Sequence, residues 1–322
     1  MKRFRKMRNR RMLRIPPLAL AWALVSLVCC AGAESSRSVA VAGDRNAASA
    51  ATAAPAQAAG QVPLPNKSNT LHFAVIGDNG TGDRPEYQLA EQLAAWYARF
   101  QFPLVVMMGD NIYGSDRPQD FVNKFEAPYK TLLDKGVKFY ASLGNHDSRE
   151  QRHYKLYNME GKLYYSFKAP KEDVRFFALE STYMDQDQLK WIEEELKKSG
   201  EKWKIAYFHH PLYSSAGTHG SQLKLRAVLE PLFVQYNVSM VLNGHDHTYE
   251  RIKPQNGIQY FVEGSSGQLR RGDLRRGSPL TAFGNDTTNT FMLMEIDGDT
   301  LTFNAIDSSS AVIDAGIISR RK

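Results

Sequence analysis

Residues 71–80 read LHFAVIGDNG, an apolar run of strand length followed by glycine and then a carboxylate. The same punctuation recurs down the chain. Residues 103–108 (PLVVMM) lead into Gly109-Asp110, and residues 137–143 (VKFYASL) into Gly144-Asn145. Residues 204–208 (KIAYF) lead into His209, and residues 239–243 (SMVLN) into Gly244-His245-Asp246-His247. Five expected strands therefore end in an oxygen or nitrogen donor. Ligands of open α/β sheets bind beyond the carboxyl ends of the strands, so these donors are expected to converge. The preceding glycines are expected to let the chain turn tightly at each strand end.

Helical patterns separate the runs, at residues 85–100, 185–198 and 221–236. Asp83 with Glu86 and Asp185 with Gln188 have capping-box spacing, and Gly200 stands where a helix stop belongs. Residues 162–169 and 174–180 read as a hairpin. The last 60 or so residues turn wholly to strands, at 258–264, 290–296, 300–306 and 311–317. The alternation followed by a β-rich end predicts an α/β fold of two packed sheets flanked by helices.

The formal charge of +7 on 322 residues suggests a polyanion-binding protein, but the excess is local. Eight basic residues and no acidic one lie in residues 1–33. The remaining 33 Lys and Arg face 34 Asp and Glu, so no nucleic-acid partner is expected. The leader reads as a signal peptide over residues 1–33. It has a cationic stretch at 2–14, an apolar run from Ile15 to Val28, and Ala31-Gly32-Ala33 before the cleavage point. This implies a periplasmic or secreted protein. Cys30 is a lipidation alternative, but Cys29 precedes it, and Arg10-Arg11 fits twin-arginine export poorly. The membrane would be met only through a leader left uncleaved or lipidated. Both cysteines lie in the leader, so the cleaved protein would hold no disulfide or thiolate ligand. Residues 34–69, rich in Ala, Ser and Pro, read as a linker, and residues 70–322 as one folded domain.

Two Asp, one Asn and three His are too many donors for one metal ion but suit two ions sharing a carboxylate. A set of carboxylate and imidazole without thiolate fits Fe, Mn or Zn.

Five blocks carry a resemblance. They are Gly77-Asp78-Asn79-Gly80, Gly109-Asp110-Asn111-Ile112-Tyr113, Gly144-Asn145-His146-Asp147, Phe208-His209-His210-Pro211 and Gly244-His245-Asp246-His247. In order and spacing they resemble the calcineurin-like metallophosphoesterases. Tyr113, three residues after Asp110, narrows the resemblance to the short, single-domain type of the purple acid phosphatase branch. The resemblance implies a four-layer sandwich with two mixed β-sheets, and makes residues 70–322 the catalytic domain. It further implies that Asp78, Asp110, Tyr113 and His247 hold Fe(III). Asp110, Asn145, His209 and His245 would hold a divalent Fe, Zn or Mn. His146 is implied to contact phosphate, and His219 to contact the substrate or protonate the leaving oxygen. The expected function is an exported phosphatase acting on small phosphate monoesters by in-line attack of a metal-bound hydroxide. A phosphodiesterase or nucleotide-cleaving enzyme on the same metals is one rival, and a catalytically silent metal-binding module is another.

Other residues are less telling. His210 is open between facing the cleft and packing away from it. His72 and His153 have no recognisable partner and read as solvated or half-buried. Arg270, Arg271, Arg275 and Arg276 read as a charged surface loop, with a cleft-edge patch that steers phosphate-bearing substrates as the alternative.

Overall fold

The computed structural model describes residues 63–321. The expected signal peptide and the linker through residue 62 lie outside the described residues. Among the described residues, thirteen strands form two mixed sheets. The first has the order β13 (Val312–Ser319), β12 (Thr300–Asp307), β11 (Thr290–Asp297), β1 (Leu71–Ile76), β2 (Leu104–Met108) and β3 (Lys138–Ser142). Strands β1, β2 and β3 run parallel, whereas β11, β12 and β13 pair antiparallel. The second sheet has the order β10 (Thr281–Asn285), β8 (Tyr249–Ile252), β9 (Gln259–Glu263), β7 (Met240–Asn243), β6 (Trp203–Tyr207), β5 (Val174–Ala178) and β4 (Tyr165–Lys168). Here β5, β6, β7 and β9 are parallel, and the expected hairpin is the antiparallel pair β4–β5. This is the predicted α/β architecture of two mixed sheets with helices.

The inner faces of the sheets pack through aromatic contacts. Phe73 of β1 meets Phe176 of β5 edge-on at 5.3 Å, and Phe261 of β9 meets Phe303 of β12 at 5.0 Å. Leu89 and Leu93 of helix α1 (Arg84–Tyr97) join this core. So does Leu132, which follows α2 (Pro118–Phe121) and lies in α3 (Lys130–Asp134). A second core joins Phe177, Ala206 and Val241 to Ile192 and Leu196 of α4 (Gln186–Lys198). Leu229 and Phe233 of α5 (Leu223–Gln235) complete it. Each such leucine, isoleucine, valine or phenylalanine contributes roughly 1.5–3 kcal/mol by leaving water. The central parallel strands are covered on both faces, which is why they read as unbroken apolar runs.

The helix-end expectations hold only in part. The Asp185 carboxylate accepts from the Gln188 amide at 2.8 Å, but the Gln188 side chain turns to Glu180. Asp83 makes no side-chain cap, and Glu86 accepts from the amide of Gly82 at 2.6 Å. Gly200 does not take the left-handed conformation of a helix stop. Strands β8 and β10 are additional to those read from sequence. Both are short, and buried Glu250 interrupts β8, accepting from the Ser215 amide at 2.8 Å and from the Thr281 hydroxyl.

Glu295 of β11 anchors the chain ahead of β1 by accepting from the amides of Asn66 and Lys67. The same carboxylate explains His72, which is buried rather than solvated. Its ring stacks on Phe100 at 4.2 Å, with Nδ1 2.8 Å from the Gln101 carbonyl and Nε2 3.6 Å from Glu295. His153 is exposed, beside Glu150 at 3.7 Å. No helix among the described residues is long and apolar enough to cross a membrane.

Candidate metal centre

The five donor-bearing strand ends are divided between the two sheets. Strands β1, β2 and β3 of the first sheet deliver Asp78, Asp110, Tyr113 and Asn145, all oxygen donors. Strands β6 and β7 of the second deliver His209, His245 and His247, all nitrogen donors. The centre lies where the carboxyl edges of the two sheets meet. Cross-sheet bonds lock that edge: the His245 amide donates to Asp78 Oδ2 at 2.8 Å, and His209 Nδ1 lies 2.9 Å from the Met108 carbonyl.

The backbone turns at the donors themselves. Asp78 (φ 54°), Asp110 (φ 52°) and His245 (φ 71°) occupy the left-handed region, at a cost of about 1–3 kcal/mol each. The glycines mostly serve another purpose than the expected turn. Of the four that precede ligands, only Gly109 (φ 90°) is left-handed. A Cβ on Gly144 would stand 2.2 Å from Asp110 Oδ1, and one on Gly244 would stand 2.4 Å from Asp78 Oδ2. These glycines make room for the neighbouring carboxylates.

All seven sequence-predicted ligands come together. In one half, the Tyr113 hydroxyl donates to Asp78 Oδ1 at 3.2 Å, and His247 Nε2 lies 3.2 Å from that hydroxyl and 3.3 Å from Asp78. In the other, His209 Nε2 faces Asn145 Oδ1 at 3.0 Å, His245 Nδ1 at 3.1 Å and Asp110 Oδ1 at 3.5 Å. One ligand atom from each of Asp78, Asp110 and His209 lies within 4.8 Å of the others, a geometry that could hold a metal ion.

A test of fit comes from the donor chemistry. A carbonyl only accepts, so His209 Nδ1 carries the ring proton and Nε2 presents a lone pair. That lone pair confronts an amide oxygen and a carboxylate oxygen, a repulsive set unless a cation lies among them. Burial pushes both Asp78 and Asp110 upward and holds His209, His245 and His247 neutral. Burial, then the two carboxylates, drives the Tyr113 phenol far above its ordinary range. A bound cation relieves all of these at once, and the residues fit a metal centre.

The two expected substrate residues flank the cluster and are exposed. His146 lays its ring 4.9 Å from that of Tyr113, and its amide donates to Asp110 Oδ1 at 2.9 Å. His219 lays its ring over His245 at 4.2 Å. Its loop is held by Asp246, whose Oδ1 accepts from the Gly220 amide at 3.4 Å.

Asp147 has no role from sequence, and His210 and the arginine cluster each stand between a cleft-facing reading and a packed or surface one. Asp147 is the clasp between two ligand loops, accepting from the amides of Asn111, Ile112 and Gly144 at 2.8–3.1 Å. His210 packs its ring 4.3 Å from His245, and burial lowers it to about 4. The Ser181 hydroxyl accepts from the His210 amide at 3.0 Å and lies 2.9 Å from Nδ1. The arginine cluster divides. Arg271, Arg275 and Arg276 are exposed, as a surface loop predicts, but half-buried Arg270 stands beside His247, with its amide donating to the His247 carbonyl at 2.9 Å. Asp147 and His210 lie inside the ligand blocks and could have been flagged by that adjacency, whereas nothing near Arg270 in the chain sets it apart from the other three arginines.

Residues 71–249 match the family model of the calcineurin-like phosphoesterases, and the chain belongs to that family. Within it, the chain falls in the purple acid phosphatase branch. Purple acid phosphatase 4 of Arabidopsis thaliana is 30% identical over 248 residues, 65% of this chain and 71% of the relative. Tartrate-resistant acid phosphatase type 5 of Mus musculus is 26% identical over 256 residues, 64% and 74% respectively. Among solved structures, the purple acid phosphatase PPD1 of yellow lupin (Lupinus luteus) superposes with a TM-score of 0.65 at 19% identity, covering 80% of this chain and 55% of that one. GAP50, the anchor in the inner membrane complex of Plasmodium, superposes with a TM-score of 0.67 at 19% identity, covering 79% and 90%. These two likenesses show the shared fold.

Proposed function

We propose that this protein is an exported metallophosphatase that hydrolyses small phosphate monoesters at a two-metal centre. The observation that carries the reading is the facing set of four oxygen and three nitrogen donors where the carboxyl edges of the two sheets meet, too many for one ion. Asp78, Asp110, Tyr113 and His247 would hold Fe(III). Asp110, Asn145, His209 and His245 would hold a divalent Fe, Zn or Mn, with Asp110 shared. Such a pair supplies Lewis acidity and brings the pKa of bound water from 15.7 towards about 7.

The chain's own residues do the remainder. Asp147 keeps the Asp110 and Asn145 loops in register. His146, exposed beside Tyr113, binds a phosphoryl oxygen. His219, on the His245 side, delivers a proton to the departing alkoxide. No nucleophilic side chain is needed, so no phosphoenzyme forms. Retention of all seven ligands favours an enzyme over a silent binding module. Assay of purified, metal-replete protein on a chromogenic aryl phosphate and on the matching diester tests the reading. Turnover of the diester alone would replace it with a phosphodiesterase, and turnover of neither would leave the silent module.

Colour tests the iron assignment. A phenolate bound to ferric iron absorbs broadly in the visible, so iron-replete protein should be pink to violet, and Tyr113→Phe should bleach it. The measurement is a visible spectrum with parallel metal quantification. Colourless wild-type protein carrying its full iron would remove Tyr113 from the ligand set.

A further inference from the structure

Arg270 is tied to the centre by its backbone, through the 2.9 Å bond from its amide to the His247 carbonyl. The head group itself is unengaged. Among the described residues the guanidinium makes no ion pair or hydrogen bond, and Nη1 is shut off from solvent without a partner. Asp273, three residues on, accepts from the Thr218 hydroxyl at 2.6 Å and does not pair with Arg270. Five donors and no acceptor make a partly desolvated guanidinium costly unless an anion completes it.

The same loop reaches the other side of the cleft. The Asp273 carbonyl accepts from the Gly217 amide at 2.7 Å, two residues before His219. The loop carrying Arg270 therefore runs from His247 to the base of the His219 loop.

We infer that Arg270 binds a terminal oxygen of the substrate phosphoryl group and makes the site selective for monoester dianions over diesters. The inference rests on the phosphatase reading above. A monoester dianion has three terminal oxygens and two charges, whereas esterification leaves a diester two and one. Two terminal oxygens can face the two metal positions, and the third is left to protein donors, His146 from the Tyr113 side and Arg270 from the His247 side. A planar fork of N–H groups matches that oxygen and its charge, as a lysine ammonium does less well.

The test compares metal-replete wild type with Arg270→Ala, Arg270→Lys and the exposed neighbour Arg271→Ala. The readouts are kcat/KM on an aryl phosphate and on the matching diester, orthophosphate affinity by calorimetry, and metal per chain. Arg270→Ala should lower monoester kcat/KM about 10- to 100-fold and diester kcat/KM less than about 3-fold. Orthophosphate affinity should fall with the monoester value while metal content stays constant. Arg270→Lys should fall between, and Arg271→Ala should match wild type. An equal loss on both esters, an unchanged phosphate affinity, or metal loss in both Arg270 variants would overturn the inference. If Arg270→Ala does not fold, Arg270→Lys and Arg270→Gln decide by the same ratio. Wild type inactive on both esters would instead sink the phosphatase reading, and calorimetry would still report on Arg270.

Discussion

Asp110→Asn should cost more activity than any other single ligand substitution, on the order of 10³-fold or more. Asp110 is almost fully buried, and its Oδ1 already receives the His146 amide at 2.9 Å while standing 3.5 Å from His209 Nε2. In the proposed assignment it belongs to both ligand sets, so losing its charge weakens both at once. Asparagine has nearly the same shape, so packing survives and the loss is electrostatic. The metal-free protein should respond oppositely. Burial and then the Asp110 charge raise Asp78, and removing that neighbouring charge relieves a like-charge pair. Metal-free Asp110→Asn should therefore melt higher than metal-free wild type, each kcal/mol being worth about 2–4 °C in a chain of this size. Metal quantification, turnover and thermal melting check the three parts together. A variant retaining two metals and near-normal turnover would refute the shared carboxylate.

His219→Ala should keep its metals yet lose turnover, by about 10²–10⁴-fold on alkyl phosphates. The ring packs on His245 at 4.2 Å, but its own exposure leaves it free to meet a leaving group. A general acid matters where the departing oxygen is basic and little where it is a stabilised phenolate. Aryl phosphates with good leaving groups should consequently lose far less. Rates across a leaving-group series, with metal content measured in parallel, check this. A uniform loss across the series would instead make His219 a phosphate-binding residue.

The strand ends were legible because strand runs, glycines and donors lie next to one another in the chain. Gly109-Asp110 and Gly244-His245 needed only short windows to be seen. The role of the glycines was not legible. Gly144 and Gly244 are demanded by the carboxylates of Asp110 and Asp78, which come from other strands. Strand β8 was hidden because buried Glu250 breaks its apolar run, and its partners Ser215 and Thr281 lie far away in sequence.

The amino-acid sequence by itself determined the α/β alternation and the donor at the end of each of five strands, whereas Tyr113 joined that set only through the resemblance of its block to the purple acid phosphatases. Those features depend on propensities and turn chemistry acting over a few neighbouring residues. Tertiary structure alone decided that the oxygen donors come from one sheet and the nitrogen donors from the other. It also placed His210 against His245 and Arg270, unlike its three neighbouring arginines, beside His247. Sheet order and cross-sheet packing are set by side-chain burial between segments far apart in the chain, and no local pattern encodes them.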